Sequence, residues 1–287
     1  MAYLRHLIRC NTHDLSRFWP VQAGGAHVGW IRPAIARSLQ AHGGPLRCEN
    51  GTARVLAPEE DFAGRSAALD HLVGILVEQG QLPKRHGELY PVVTHWGREP
   101  LAVLDRAAAA IFGIRAFGLH VNGYVRKAGG GMALWVARRA HDRLVEPGKL
   151  DNIIAGGQPY GKSLWDNLLK EAREEAGFGP DIASRAIPTG LISYTFETPA
   201  GLRPDTLFVY DLELPPGTMP YNTDGEVESF MLWPLEAVAA SIRDSDDWKF
   251  NCPLIVIDFL IRHGWLTPEH PHYPQLVQGL RAGFGGR

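Results

Sequence analysis

The sequence predicts an α+β protein of two domains, in which a smaller mixed α/β domain precedes a mixed sheet with helices between and after its strands. Its 287 residues are about twice the length of a typical ~150-residue domain. The composition changes near residues 113–119, so we expect an N-terminal domain over 1–116 and a second domain over 117–287. Beyond this point short alternating segments, typical of strands, are interspersed with segments of helical periodicity.

The first domain is predicted to be rather helical. One helix has Pro33 at its start and two glycines just beyond its end. Another contains apolar residues that recur at helical spacing, namely Leu69, Leu72, Val73, Leu76 and Val77. The elements predicted in this domain are helices over 4–9, 33–42, 64–79 and 105–112 and a strand over 89–94.

The second domain is predicted to be rich in strands. Residues 120–126 and 132–137 are separated by a glycine turn, as expected of a hairpin. An apolar strand over 152–155 leads into a helix over 164–176, for which Ser163 is a suitable N-cap and Gly177 the end. The elements predicted after it are strands over 190–196, 206–214 and 228–233 and helices over 235–243 and 254–263.

Composition excludes several classes of protein. The chain has 29 Lys+Arg and 31 Asp+Glu, a net charge of −2, so it lacks the basic excess of a nucleic-acid-binding surface. No apolar run approaches the ~20 residues of a membrane helix, and the first residues lack a signal-peptide core. The 3 cysteines form no C-x-x-C pair, so neither a disulfide framework nor a zinc site is indicated. We therefore expect a soluble, cytoplasmic protein that binds neither nucleic acid nor membrane.

The predicted helix over 164–176 carries three acidic residues on one face. Glu171, Glu174 and Glu175 stand at i, i+3 and i+4, so their like charges repel unless a cation lies between them. Mg²⁺ prefers oxygen ligands of this kind and is often shared with substrate phosphates. The alternative is a solvated acidic face that pairs with Lys170 and Arg173.

The segment 156–178 resembles the Nudix box of the MutT-like hydrolases, G-x5-E-x7-R-E-U-x-E-E-x-G-U. Its matching fixed positions are Gly156, Glu171, Glu174, Glu175 and Gly177. Lys162 and Lys170 stand where the pattern has Glu and Arg, so the usual ion pair cannot form and the loop needs other support. The resemblance implies a Nudix α/β/α sandwich with a mixed sheet. It also implies Mg²⁺, with Mn²⁺ as a substitute, held by Gly156 and the three glutamates.

In Nudix proteins a downstream glutamate often joins the metal site or serves as base. Glu226 and Glu228 both match in kind, and the sequence does not choose between them, since both could face inward from one side of a strand. A solvent-facing acidic turn is the alternative. The implied reaction is hydrolysis of a phosphoanhydride, with Glu174, Glu175 and Glu226 as catalytic candidates and Glu228 as a further metal ligand.

The resemblance extends to a subfamily with an N-terminal extension, related to the Nudix part fused to thiamine pyrophosphokinase. It is carried by residues 27–33, 65–69, 87–92, 117–125, 150–158 and 249–264. It implies hydrolysis of thiamine diphosphate or its oxidised analogues to the monophosphate and phosphate. The alternatives are a Nudix hydrolase of a nucleotide sugar or dinucleotide, an isomerase that uses Cys252, or a non-catalytic diphosphate-binding module with a degenerate box.

Several residues are candidates for binding a small-molecule diphosphate substrate. His120, Asn122 and Tyr124 share one side of a strand, which faces either the cleft or the N-terminal domain. The other candidates are Lys162, Lys249 and Asn251, with Trp135 and Trp165 available for stacking. The N-terminal domain is expected to act as a lid, a specificity element or the contact of a homodimer.

Overall fold

The computed structural model describes residues 2–143 and 145–283. Its first region is mixed α/β, as predicted, with more strands than the sequence indicated. A short 3₁₀ turn at Arg106–Ala108 separates the last strand of this region from its last helix. The elements are α1 Leu4–Cys10, β1 Trp19–Ala23, β2 Ala26–Ile31, α2 Pro33–Ala41, β3 Leu46–Glu49, β4 Thr52–Val55, α3 Phe62–Glu78, β5 Leu89–Val92, β6 Ala102–Asp105 and α4 Ala109–Phe112.

The first three predicted helices are present as α1, α2 and α3, and the predicted strand as β5. The helix predicted over 105–112 is wrong in its first half, because Asp105 ends strand β6 and Arg106–Ala108 form the 3₁₀ turn. The sequence also failed to indicate β1 to β4, which form a sheet in the order β2-β1-β4-β3. Two turns could have revealed it. Gly24-Gly25 and Asn50-Gly51 all have positive φ and are two-residue hairpin signals.

The second region follows the predicted order closely. The hairpin and the helix over 164–176 are confirmed, whereas the strand predicted over 152–155 is divided between two short strands. The elements are β7 Ala116–Arg126, β8 Met132–Arg139, β9 Leu150–Asn152, β10 Ile154–Gly157, α5 Leu164–Ala176, α6 Pro180–Ala183, β11 Ile187–Glu197, β12 Leu202–Glu213, β13 Val227–Pro234, α7 Leu235–Asp244, α8 Cys252–Arg262 and α9 Tyr273–Gly279.

The strands of this region form one mixed sheet around β7. The order is β11-β12-β7-β8-β13, with β10 paired to β7 and β9 paired to β8. β7 and β12 are parallel, and the other pairs are antiparallel. Because β8 pairs only with the end of β7 from Tyr124 onward, β10 occupies the same edge between Gly118 and Val121. This arrangement brings the strand before α5 to the centre of the sheet.

Apolar side chains cover both faces of this sheet. Leu119 and Val121 of β7 pack with Leu168 and Ala172 of α5. On the opposite face, the side chain of Tyr124 packs in the cluster that contains α7 and α8. The expected layering of helices on both sides of a mixed sheet is therefore present, in an overall α+β structure.

The first helix packs with the second region. Leu7 and Cys10 of α1 lie in the same apolar cluster as α8 and α9, whereas a separate cluster fills the space between α2, α3 and the first sheet. The division at residue 116 stays a prediction. Among the described residues, no helix is both long enough and apolar enough to cross a bilayer.

We predict that Leu7→Ala lowers the free energy of unfolding by about 2–5 kcal/mol, because it leaves a cavity between α1 and α9. Leu7 is 4% exposed, whereas the neighbouring Ile8 is 53% exposed. Ile8→Ala is therefore the matched control, with an expected change within about 0.5 kcal/mol. Urea unfolding measures both, and equal losses in the two variants would contradict the docking of α1.

Candidate functional site

The helix α5 presents the acidic residues in the predicted arrangement. The Ser163 hydroxyl oxygen accepts a hydrogen bond from the Asp166 amide at 3.0 Å, which caps the first turn. Gly177 ends the helix in the left-handed conformation. Glu171 and Glu175 lie on the buried side of the helix, whereas the side chain of Glu174 is one-third exposed.

Each of the three carboxylates has a distinct neighbour. Lys170 Nζ lies 3.0 Å from Glu171 Oε1 and 2.8 Å from Glu174 Oε2, so one ammonium bridges two of the acids. Glu175 Oε2 accepts a hydrogen bond from the Ala155 amide at 2.7 Å. Gly156 packs directly on the Glu171 side chain, since a Cβ there would lie 2.5 Å from Glu171 Cγ and Cδ.

The electrostatics of this face favour a cation. Burial raises the pKa of Glu171, and the Lys170 ammonium only partly offsets it. Burial raises the pKa of Glu175 well above its usual range, and the charge of Glu171 adds to the shift. Both ionised carboxylates are thus held at a free-energy cost, which a bound cation would relieve.

Hydrogen bonds from other residues stabilise the loop before α5, in which Lys162 cannot form the usual ion pair. Lys162 is exposed, but its carbonyl oxygen accepts a hydrogen bond from Gln158 Nε2 at 2.7 Å. The buried Asn167 donates through Nδ2 to the Gly157 carbonyl oxygen at 2.8 Å. The Tyr160 amide donates to the Leu89 carbonyl oxygen of β5 at 2.8 Å, so the first region also holds the loop. Two amide side chains and a strand therefore replace the ion pair of the general pattern.

The first region also places charged residues beside this loop. Arg106 Nη1 lies 2.7 Å from Glu88 Oε2, and burial raises the pKa of the nearby Tyr90 hydroxyl to about 12. A Cβ at Gly157 would collide with the Tyr90 hydroxyl and lie 3.3 Å from Arg106 Cζ. Glu88, Tyr90 and Arg106 were not among the candidates from the sequence. The sequence signal available was the stretch 87–92, which gave a resemblance but no role.

Glu226 and Glu228 differ in their position and partners. Glu226 directly precedes β13, and its carbonyl oxygen still accepts a hydrogen bond from the Ala140 amide at 3.0 Å. The register shifts between Val227 and Ser229, so a regular alternation does not relate Glu226 to Glu228. Glu226 Oε2 lies 2.7 Å from Arg143 Nη2, and Glu228 Oε2 lies 3.4 Å from His141 Nε2. The turn before them is attached to α5, because the Thr223 amide donates to the Glu174 carbonyl oxygen at 3.1 Å. The structure thus brings the turn that contains Glu226 to the end of the acidic helix.

His120, Asn122 and Tyr124 share one side of β7, as predicted, but that side faces α8 rather than a cleft or the first region. His120 Nδ1 lies 2.9 Å from Asn152 Oδ1, and burial together with the charge of Lys249 lowers the pKa of His120 to about 4. Asn122 donates to Asp211 Oδ1 at 3.1 Å. All three side chains are buried, so their contacts give no support to a role in substrate binding.

Two of the three remaining substrate-binding candidates, Lys249 and Asn251, lie in one buried network. Lys249 Nζ lies 3.1 Å from Asp151 Oδ2, and the buried Asn251 donates to the Tyr194 hydroxyl at 3.3 Å. Lys162 lies apart from both, in the loop before α5. Of the two tryptophans, Trp135 is buried and Trp165 is exposed. The structure therefore brings Lys249 and Asn251 together around Asp151 and Cys252, whereas Lys162 is an exposed residue of the loop.

One further group has the composition of a metal site. The ligand atoms of His120, Asp151 and Cys252 lie within 4.8 Å of one another, and all three residues are buried. Asp151 already has two cationic partners, Arg139 at 3.0 Å and Lys249 at 3.1 Å. Burial raises the pKa of the Cys252 thiol well above its usual value, so the thiolate that a metal needs is disfavoured. We describe this group as a buried hydrogen-bonded network.

Comparison with known proteins identifies the family. Residues 2–116 match the family model of a domain of unknown function (DUF4743). The chain is 44% identical to Nudix hydrolase 20, chloroplastic, of Arabidopsis thaliana over 98% of its own length and 78% of that protein. It is 38% identical to Nudix hydrolase 24, chloroplastic, of the same plant, with the same coverage. The chain belongs to the Nudix hydrolase family.

A solved structure of an Ap4A hydrolase from C. elegans also matches this Nudix chain. The two sequences are 14% identical, and the aligned region covers 53% of this chain and 99% of the C. elegans chain, with a TM-score of 0.39. The comparisons contradict the prediction of a cytoplasmic protein, because both plant relatives are named chloroplastic. The expected enzyme class is confirmed: the protein is a hydrolase of the family that cleaves phosphoanhydrides.

Nudix hydrolases generally use divalent metals such as Mg²⁺ or Mn²⁺, and the residues on α5 fit such an ion. The donors are carboxylate oxygens, which hard cations prefer, and the two buried acids carry unfavourable charge. Gln158 Oε1 and Asn167 Oδ1 are buried carbonyl oxygens that lack a hydrogen-bond partner among the described residues. The donor set therefore suits Mg²⁺ at Glu171, Glu174 and Glu175.

We predict that Asn167→Ala lowers the free energy of unfolding by about 1–3 kcal/mol, because the Gly157 carbonyl loses its buried donor. Trp165→Ala removes a larger but exposed side chain from the same helix and is the control. Thermal unfolding measures both variants. An Asn167→Ala protein no less stable than Trp165→Ala would show that this amide does not hold the loop.

Proposed function

We propose that this Nudix hydrolase cleaves the diphosphate of thiamine diphosphate or its oxidised analogues, with Mg²⁺, to give the monophosphate and phosphate. The observation that supports the reaction is the set of carboxylates Glu171, Glu174 and Glu175 on one face of α5. The support for the organic group is the resemblance of stretches in both regions to the thiamine-linked subfamily. The division at residue 116, with the first region as a lid or specificity element, belongs to the same proposal.

The roles of the acids follow from their surroundings. A bound Mg²⁺ supplies charge neutralisation of the diphosphate and a lower pKa of coordinated water. Glu171 and Glu175 are fixed by burial, Lys170 and the Ala155 amide, so we assign them to holding the metal. Glu174 and Glu226 are more exposed, so we assign the proton-accepting role to one of these two carboxylates. Glu228 is left as an outer acidic residue.

The organic group has a candidate pocket whose aromatic residues belong to the apolar cluster that also contains α5. A cavity of about 410 Å³ is lined by Val125, Trp135, Phe230 and Leu232 and by residues 216–219. This volume lies in the range of small-molecule sites. Trp135 Nε1 is buried and lacks an acceptor among the described residues, so it could bind a heteroatom of a ring. The chain that lines this pocket continues to Thr223, which is bonded to Glu174. A cationic thiazolium ring would also be attracted by the aromatic faces.

Other functions have less support. An isomerase needs a reactive cysteine, but the Cys252 thiol is buried and donates to Asp151 Oδ1 at 2.7 Å. A non-catalytic module with a degenerate box would be expected to lose one of the acids, and all three are present on α5. Hydrolysis of a nucleotide sugar or dinucleotide remains the second candidate within the family.

We predict that Glu174→Gln lowers kcat for phosphate release in Mg²⁺ by at least about 100-fold, because it removes a carboxylate from the metal and base set. Phosphate release from thiamine diphosphate is the measurement. Glu236→Gln, which changes an exposed acid on α7, is the control with unchanged activity. A Glu174→Gln enzyme with normal kcat would contradict the role of this face.

A substrate panel tests the organic group separately. We expect turnover of thiamine diphosphate and its oxidised analogues in preference to nucleotide sugars and dinucleotides. Phe230→Ala should raise KM for the preferred substrate several-fold and leave inhibition by inorganic pyrophosphate unchanged, because it alters only the pocket. Met231→Ala, on the opposite face of β13, is the control. Preferential turnover of nucleotide sugars or dinucleotides would agree with Nudix chemistry but contradict the assignment of a thiamine substrate.

A further inference from the structure

Arg106 is a cation of the first region that lies against the hydrolytic loop. Its guanidinium carbon would be 3.3 Å from a Cβ on Gly157, and the neighbouring Gly156 is packed on the Glu171 carboxyl group. Arg106 and Glu171 therefore flank two consecutive residues at the end of β10. The Arg106 side chain is 39% exposed, and its guanidinium carbon lies 5.6 Å from the centre of the Tyr90 ring. Its partner among the described acids is Glu88, at 2.7 Å.

The backbone on both sides of this ion pair is fixed by one buried carboxylate. Asp105 Oδ1 accepts hydrogen bonds from the His86 amide at 3.0 Å and the Ala107 amide at 2.9 Å. Asp105 Oδ2 accepts from the Gly87 amide at 3.0 Å. The Arg106 amide also donates to the Glu88 carbonyl oxygen at 2.9 Å. A fixed backbone around Glu88 and Arg106 lowers the entropic cost of binding a ligand there. An exposed ion pair contributes little to stability, so stability alone does not account for this arrangement.

Among the described residues, Lys170 is the cation that pairs with the acidic face. Lys170 is already engaged by Glu171 and Glu174, and Lys162 is exposed in the loop. A diphosphate brought to three carboxylates requires positive charge beyond the metal. An arginine provides a planar fork that matches two phosphate oxygens.

We propose that Arg106 binds the diphosphate of the substrate, so that the N-terminal region completes the hydrolytic site with a residue that the Nudix box does not contain. In this role Glu88 holds the guanidinium until the phosphate oxygens replace it. The inference rests on the proposed function for the presence of a diphosphate, and it is independent of the organic group.

The test uses methylene diphosphonate, a diphosphate analogue without a hydrolysable bridge, with Mg²⁺ and the full-length protein. We expect Arg106→Gln to weaken its binding in calorimetry by roughly 10- to 100-fold, with an intermediate loss in Arg106→Lys. Glu88→Gln should bind at least as tightly as the wild type, because it frees the guanidinium. Arg126→Gln removes the same charge from another exposed ion pair, with Glu213 at 3.1 Å near the far end of β7, and should bind the analogue normally.

The variants should rank in KM, for whichever diphosphate the wild type hydrolyses, in the same order as in their dissociation constants for the analogue. Equal weakening by Arg106→Gln and Glu88→Gln would identify a structural ion pair and overturn the proposal, as would unchanged binding in Arg106→Gln. If Arg106→Gln fails to fold, Arg106→Lys and Glu88→Gln still decide, because a structural role predicts losses in both. A wild type that binds the analogue but does not turn over thiamine diphosphate would refute the substrate assignment while leaving the test of Arg106 intact.

Discussion

The repulsion among three carboxylates on one turn of α5 is the constraint on which the rest of the site depends. Two of these groups are buried, and burial raises their pKa values. Lys170, the Ala155 amide and the charge of Lys249 stabilise their charged forms in part. Holding buried, ionised carboxylates close together lowers the free energy of unfolding unless a cation offsets their charge. Their oxygen atoms are the ligands that a hard divalent cation prefers. A divalent cation, which Nudix hydrolases generally use, would offset this cost.

The surrounding structure holds this costly helix in place from two sides. Within the second region, Asn167 ties α5 to the end of β10, and Thr223 ties its last turn to the segment before β13. From the first region, β5 accepts a hydrogen bond from the loop at Tyr160. The site is therefore built at the contact of the two regions. A lysine can occupy the usual glutamate position because other groups stabilise the loop.

The elements that could be predicted from sequence are those whose signals are local. The spacing of the acids in α5, its Ser163 cap and its Gly177 end lie within one short segment, and the structure matches them. The first sheet was missed because its strands are only 4 to 6 residues long and carry polar residues. Alternation placed His120 and Tyr124 on one side of β7, but only tertiary packing reveals that α8 covers that side. Arg106 and Gly157 are 51 positions apart, so no local pattern could bring them together.

The most direct test of the acidic face as the metal centre is the position of Mn²⁺ in crystals, measured by anomalous scattering. We expect an anomalous peak among the carboxylates of Glu171, Glu174 and Glu175, and its loss in crystals of the Glu171→Gln/Glu175→Gln double variant. A peak at His120, Asp151 and Cys252, or at Glu226 and Glu228 away from α5, with none on the acidic face, would contradict it.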